Sequence, residues 1–495
     1  MSTPLGDQVR ALVAEAIAVY AGRPAEMSLA AVSAQFEEPL RVAIAGRIKA
    51  GKSTLLNALV GDQVAATDAA ECTRVVTWYW NGVTYRAWAI PREGEPEQLP
   101  FERTETATRI DLGRWKPEDL VRLTVEVPSA RLVDITLIDT PGIASLSSEV
   151  SGRTAAFFAE APQDGTAADA VLYLMRHLHT SDVNFLEAFH DAEFADSMPV
   201  NAVGVLSRAD EIGAGRIDAI DIARDIAAAY GRDDRVRALT QTVVPVAGLL
   251  AQAGSTLRHP EYVDLGKLSQ VPADELGELL LSVDRFVTWP CRAAVSPEAR
   301  RQLLDRFGVY GVKLAIALLR QGVVRSGPAL SAALVERSGL PELRAVLLAR
   351  FAARRDILKA RSALRAVELA IGSDPRPGSE QLRRRQEEIE ASTHDFAELR
   401  LLNEVRRGAL PLEPERRDDV EALLGASGIG LRERLRIDPA APLEEVRAHL
   451  LSELDRWQRL SEDLLESHGT RRAAGILRRT CEGMFLDAEL AGAST

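Results

Sequence analysis

Residues 40–57 read LRVAIAGRIKAGKSTLLN, and this stretch decides the fold. Leu40 to Ala45 is a short apolar run that predicts a buried strand. A loop with Gly46 and Gly51 follows and ends in Lys52-Ser53. From Thr54 onward, Leu55, Leu56, Ala58, Leu59 and Val60 predict an amphipathic helix. Strand, loop and helix together give the pattern G-x-x-x-x-G-K-[ST] in the context that supports a phosphate loop. The glycines let the backbone wrap a phosphate, and amides converge at the helix N-terminus. Gly46, Gly51, Lys52, Ser53 and Thr54 are therefore candidate nucleotide contacts. Lys52 reaches the β- and γ-phosphates, and Ser53 holds Mg²⁺.

The whole chain sets bounds on this reading. Its 495 residues predict two to four domains with ample core. A net charge of -12 argues against nucleic acid as a partner. Lysine is rare, at positions 49, 52, 116, 267, 313 and 359, and two of these lie in the phosphate loop. Cys72, Cys291 and Cys481 are too widely spaced for a disulfide framework or a zinc site, so a reducing, cytoplasmic setting is expected. The N-terminus carries no basic-then-apolar signal pattern. No apolar run reaches transmembrane length, so membrane contact is expected to be peripheral.

Outward from the loop, the patterning changes twice. Before it, Val9, Leu12, Val13, Ala16, Ile17 and Tyr20 follow helical spacing. Such helices either join helices from the far end of the chain or lie on the surface of the nucleotide domain. From 40 to about 250, strands and helices alternate. Strands are expected at Arg41–Ala45, Val75–Trp80, Tyr85–Ile90, Leu120–Val127, Ile135–Ile138, Ala170–Met175, Ala202–Leu206 and Val243–Val246. Gly94 to Pro117 is polar and predicts a mobile loop. Beyond 250 the signals are helical. Leu343 to Ile371 predicts one long amphipathic helix, Gln381 to Arg407 a charged helix, and Leu443 to Leu464 another. Gly327-Pro328 punctuates the chain. The expected division is residues 1–38 as N-terminal helices, 39–322 as the nucleotide domain and 323–495 as a helical region. The fold class is an α/β P-loop domain, a mainly parallel sheet with helices on both faces, plus an elongated α-helical bundle.

Three further loops follow the phosphate loop in order. Asp139-Thr140-Pro141-Gly142 ends an apolar strand; its aspartate holds Mg²⁺ through water, and the Gly142 amide bonds the γ-phosphate and senses its loss. Thr73 lies between the first helix and the next strand, where a threonine coordinates Mg²⁺ and holds the attacking water. Thr67 and Thr77 compete for that role, and Thr73 also reads as a β-former opening a strand. Ser207-Arg208-Ala209-Asp210 follows another strand. Asp210 accepts from guanine N1–H and the exocyclic amine, which adenine lacks, or else it is a capping residue. Arg208 suits stacking on the base. A backbone amide near Ala247 is placed to meet the guanine oxygen. GTP, with GDP as product, is the implied nucleotide.

On GRIKAGKSTLLNALVG (46–61), ATDAAECTRVVTW (66–78), DTPG (139–142) and SRADEIGAGRIDA (207–219), the chain resembles the dynamin superfamily. It is most similar to the isoniazid-inducible dynamin-like proteins of mycobacteria and other actinobacteria. LLSVDRF (280–286), RFGVYG (306–311) and SGLPELRAVL (338–347) extend the resemblance across roughly residues 40 to 350. It implies a GTPase head, a neck built from both chain ends and a helical stalk. It also implies self-association through heads and stalk, a second dynamin-like protein as a possible partner, and membrane remodelling. The implied location is cytoplasmic, peripheral to the inner face of the plasma membrane, with a link to antibiotic stress.

Two positions depart from the family pattern. Ile48-Lys49 replaces the usual Gln-Ser pair. Lys49 then supplies positive charge near the β–γ bridge, or it points to solvent or to a partner head. Ser207-Arg208 replaces Thr-Lys, which loosens the expectation of strict guanine selection. Pro375–Gly378 and Leu423–Arg436 are the candidate lipid-contacting stretches, the second reading equally as a self-packed loop. Two other functions fit the same residues: a soluble GTPase switch acting on a protein, and a low-turnover half of a heteromeric assembly.

Overall fold

The computed structural model describes residues 4–65, 75–103, 108–140, 168–177, 202–351, 354–410, 412–426 and 428–493, with Asp182, Val183 and Leu186. The strands are β1 (Leu40–Gly46), β2 (Thr77–Asn81), β3 (Arg86–Pro91), β4 (Glu97–Leu99), β5 (Phe101–Arg103), β6 (Thr108–Ile110), β7 (Leu120–Val127), β8 (Ile135–Asp139), β9 (Ala170–Met175), β10 (Ala202–Ser207) and β11 (Val243–Val246). Nine of them form one sheet in the order β11-β10-β9-β1-β8-β2-β7-β3-β4. β11 through β8 run parallel, as does β2 with β7; the pairs β2–β8, β7–β3 and β3–β4 are antiparallel.

β1 is buried along its whole length, Arg41 included, as a strand covered on both faces requires. Its period-2 alternation divides the core. Val42 and Ile44 face one cluster with Leu55, Leu56 and Leu59. Ala43 and Ala45 face another with Ile138, Val171 and Tyr173. The register places Asp139 beside Ile44, Leu174 beside Gly46, Met175 beside Leu206 and Val246 beside Ser207. Loops distant in sequence thus leave one edge of the sheet side by side, the edge where open α/β sheets bind ligands.

The eight strands expected from the sequence all form, within a residue or two at their ends. The stretch 94–117 corrects the expectation of an irregular loop. β4 extends the main sheet, and β5 pairs with β6. Leu99 and Leu112 are buried, and Trp115 Nε1 donates to Glu97 Oε2 at 3.1 Å. Three-residue edge strands expose most of their polar side chains, so no apolar period marks them.

Among the helices that frame the sheet and the helical region are α1 (Pro4–Val19), α2 (Pro24–Gln35), α3 (Lys52–Val60), α4 (Gly248–Ser255), α5 (Pro297–Arg320), α6 (Gly327–Glu336), α7 (Leu340–Val346), α8 (Arg355–Ser373), α9 (Ser379–Ser392), α10 (His394–Arg406), α11 (Pro414–Leu423), α12 (Leu443–Glu462) and α13 (His468–Ala493). α1 and α2 pack with α8 and α9 around Val9, Leu12, Val13, Leu364 and Val367. Tyr20 Oη donates to Asp374 O at 3.1 Å, and Gly378 approaches Val19, so the turn at 375–378 closes over the end of α1.

α6 and α7 belong to the core of the sheet domain. Leu330 and Leu334 pack with α5, while Leu340, Leu343 and Leu347 pack with β1 and α3. The division expected at 322/323 therefore crosses no break in packing. The long helix expected over 343–371 is two helices, α7 and α8, separated by a π-helical turn at Leu347–Phe351. The expected 381–407 helix also divides, at Thr393, whose Oγ1 donates to Ile389 O at 2.7 Å and so closes α9. The described residues of 423–436 pack into the helical region, with Leu424 and Leu435 in one cluster with Leu399 and Leu402. Leu424 and Leu435 are buried, Arg434 donates to Leu423 O at 2.6 Å, and Arg436 pairs with Asp419 at 2.9 Å.

The α-helical region touches the sheet domain through Arg406, only 4% exposed. Its guanidinium donates to Glu421 at 3.2 Å and to the carbonyls of Thr240 and Gln241, each at 3.2 Å. Arg406→Ala removes this buried fork and leaves Glu421 with Arg237 as its ion-pair partner. We expect urea unfolding to show a loss of about 2–3 kcal/mol. Arg406→Lys recovers only part of it, because an ammonium lacks the fork.

Candidate nucleotide and metal site

The phosphate loop is shaped by backbone that only glycine tolerates at its two ends. A Cβ on Gly46 would lie 2.6 Å from Leu174 O, and Gly51 has φ +95° where α3 begins. Lys52, the first residue of α3, folds back over the loop. Its Nζ donates to Gly46 O at 3.2 Å and to Arg47 O at 3.4 Å. Ser53 and Thr54 follow in the first turn of α3. Lys49 sits at the loop's crest, exposed and left-handed at φ +63°.

Asp139, at the end of β8, lies behind Lys52 and Ser53. Burial lowers the Lys52 pKa, and the charge of Asp139 pulls it back up. Burial pushes the Asp139 carboxyl up to about 6, against the Lys52 charge and a hydrogen bond from Ser53. Asp139 Oδ1 is buried with no hydrogen-bond partner. A hydroxyl beside an unpaired carboxylate oxygen is a donor set that suits Mg²⁺. Ser53 and Asp139 are the described residues that would hold it. The ion would neutralise charge on the β- and γ-phosphates. Thr73, Thr67 and Gly142 lie outside the described residues. Thr77 is buried in β2 with its hydroxyl donating to Val75 O at 3.2 Å, which commits it to the sheet.

The raised pKa of Asp139 carries a testable sign. Its folded value, about 6, lies above the ordinary value of an aspartate in the unfolded chain. The folded state therefore holds this proton more tightly, and the stability this contributes is lost as pH rises through 6. Asp139→Asn removes the buried charge. In urea unfolding without nucleotide, its stability relative to wild type is expected to grow by about 1–2 kcal/mol from about pH 5 to about pH 7. An unchanged difference across that range would contradict the buried-charge account.

A cavity of about 130 Å³ opens beside the loop, lined by Gly51, Thr54, Ser207, Arg208, Asp210 and Gly248 among others. Ser207 Oγ donates to Met175 O at 3.2 Å, so this side chain braces β10 against β9. Asp210 is 6% exposed, and burial pushes its carboxyl up to about 6. Behind it, α5 breaks at Gly308, with φ +64°. A Cβ there would stand 3.6 Å from Asp210 Oδ2. Arg208 does not lie free for stacking: it donates to Glu211 Oε1 at 2.8 Å and to Lys49 O at 2.9 Å.

One expectation is corrected. The Ala247 amide donates to Ser338 O at 2.8 Å and is committed to the chain itself. Gly339, at φ +78°, brings the 338–339 turn against Pro245 and makes that bond possible. Gly248, the first residue of α4, lines the cavity instead. The sequence carried that signal, a glycine after a strand at a helix start. Glu211 was missed because nothing in its spacing marks it.

A family model described as 50S ribosome-binding GTPase matches residues 41–201. The isoniazid-induced protein IniC of Mycobacterium tuberculosis is 40% identical, over 98% of this chain and 99% of its own length. A bacterial dynamin-like protein of Nostoc punctiforme is 31% identical over 114 residues, 21% of this chain and 16% of its own length. Two solved chains of an oligomerised bacterial dynamin pair align over 99% of this chain at 12% identity, covering 75% and 76% of their own lengths with TM-scores of 0.32 and 0.35. The near full-length match decides the matter: the chain belongs to the IniC family of bacterial dynamin-like proteins, with a P-loop GTPase domain and an α-helical region.

Proposed function

We propose that this chain hydrolyses GTP to GDP and phosphate, using Mg²⁺, by in-line attack of water on the γ-phosphate. The observation that carries the reading is the cluster of Lys52, Ser53 and the unpaired Asp139 oxygen beside a cavity holding Asp210. Lys52 lies across the loop to take γ-phosphate charge as it develops. Ser53 and Asp139 hold the metal side, with Thr73 as the proposed second hydroxyl ligand. Asp210 selects guanine, and the chain supplies positioning and charge rather than a covalent intermediate. We propose further that turnover is coupled to self-association and to peripheral membrane binding or remodelling at the inner face of the plasma membrane. No helix among the described residues is long and apolar enough to cross a membrane. Leu464 and Leu465, 84% and 96% exposed on the α12–α13 turn, support an apolar contact. Family membership supports the rest.

A second reading, a low-turnover half of a heteromeric assembly, is favoured by one observation: Ile48 and Lys49 are exposed at the crest of the loop. GTP turnover and sedimentation with anionic vesicles, measured together over a range of protein concentrations, separate the two. We expect specific activity to rise with concentration and the protein to pellet with vesicles. Turnover without pelleting would remove the membrane claim, and tight GTP binding with no turnover at any concentration would favour the heteromer.

A further inference from the structure

Across the mouth of the base cavity runs a chain of charged groups that no sequence motif announces. Arg208 is left-handed, at φ +54°, and its guanidinium forks. Nη1 donates to Glu211 Oε1 at 2.8 Å, and Nη2 donates to Lys49 O at 2.9 Å. Glu211 Oε2 accepts from Arg176, which follows β9 directly. The chain Arg176–Glu211–Arg208–Lys49 thus ties the end of β9 and the base loop to the crest of the phosphate loop. Glu211 and Arg208 both line the cavity. The crest needs such a tie. Lys49 is a non-glycine residue at φ +63°, a conformation that L-residues adopt only when their surroundings hold them.

We propose that Glu211 is a positioning residue for the nucleotide. Its carboxylate orients Arg208, so that one guanidinium braces the base loop and at the same time holds the phosphate-loop crest through the Lys49 carbonyl. The inference rests on the GTPase reading. It gives the departure at position 208 a physical reason. A planar fork reaches two acceptors in different loops, whereas an ammonium is a point charge on a flexible stem. Arg176, Arg208 and Glu211 are 49%, 37% and 43% exposed. Ion pairs this exposed contribute little to folding stability. A role for Glu211 must therefore be read in nucleotide affinity, and loss of its charge should leave thermal stability in place.

The test uses the full chain with Glu211→Gln, Glu211→Asp, Arg208→Lys and the double variant Arg208→Lys/Glu211→Gln. Melting temperature, steady-state GTP turnover and release of a fluorescent GDP analogue are measured for each. Glu211→Gln is expected to raise KM for GTP and speed GDP release about fivefold to tenfold, with kcat within about twofold. Glu211→Asp recovers part of the loss. The double variant is no worse than the more impaired single one, because both changes cut the same tie. The proposal is overturned if Glu211→Gln binds and releases nucleotide like wild type. Multiplying effects in the double variant, or a KM change accompanied by a fall in melting temperature, would overturn it too. If wild type neither binds nor hydrolyses GTP, the GTPase reading fails and takes this inference with it. A normal wild type beside a normal Glu211→Gln defeats this inference alone.

Discussion

Lys52→Ala lowers GTP turnover by about 10²–10³-fold at saturating nucleotide. The size follows from where the ammonium sits. Lys52 Nζ rests on the carbonyls of Gly46 and Arg47, inside the loop proposed to wrap the phosphates. In the proposed reaction it meets the negative charge that grows as the γ-phosphate leaves. A preorganised positive charge in a partly desolvated site is worth far more there than in water, and removing one costs several kcal/mol of transition-state stabilisation. The loss has a second component. Lys52 is the charge that offsets the burial of Asp139. Without it the Asp139 pKa rises further, and the metal side of the site weakens at neutral pH. The variant should therefore need more Mg²⁺ for its residual activity, which an Mg²⁺ titration at two pH values reads directly. Lys52→Arg is not expected to rescue, because a planar guanidinium cannot tuck beneath the loop carbonyls as an ammonium does. Phosphate release under single-turnover conditions is the decisive measurement. Activity within about threefold of wild type would remove Lys52 from the chemistry.

The residues that line this candidate site were mostly legible, and the reason is geometric. A parallel sheet brings the C-terminal ends of its strands to one edge, so a residue just after an apolar run is placed by the run itself. Asp139, Ser207 and Asp210 were found in that way: β8 and β10 belong to one parallel run, with β9 and β1 between them. What the sequence withheld was partnership. A backbone amide after β11 was expected at Ala247, but a turn about 90 residues later claims it. Arg208 was legible as a departure from lysine; its two acceptors were not, since they lie in loops 159 residues apart and three residues apart. The same limit hid the contact of Arg344 with the far end of the phosphate helix, where its guanidinium donates to Ala58 O at 2.9 Å. Periodicity also misled where a helix changes hydrogen-bond pattern without losing its apolar face. The π-helical turn at Leu347–Phe351 keeps Leu347 and Phe351 buried, so the run from 343 to 371 reads as unbroken. Short edge strands fail for the opposite reason: β4 to β6 are too brief to show any period.

Asp210→Asn exchanges the base that the cavity accepts. A carboxylate offers only acceptors, which match guanine N1–H and the exocyclic amine. Asparagine offers one acceptor oxygen and an NH₂ donor group. The donor opposes the guanine amine but complements the oxygen that xanthine carries at the same carbon. A site built around a buried hydrogen bond rejects an analogue that cannot complete it, because the unmatched groups are left desolvated. Affinity for GTP is therefore expected to fall by about 10²-fold or more, with XTP gaining by a comparable factor. Unfolding is not a competing explanation. Asp210 is 6% exposed and its carboxyl is pushed up to about 6 by burial, so neutralising it relieves a desolvation cost rather than adding one. The variant should melt no lower than wild type without nucleotide. Competition between GTP, XTP and ATP for a fluorescent guanine nucleotide in wild type, and for a xanthine analogue in the variant, reads the exchange. If Asp210→Asn keeps the wild-type order of preference, the base is held elsewhere, and the cavity beside the phosphate loop loses its assignment.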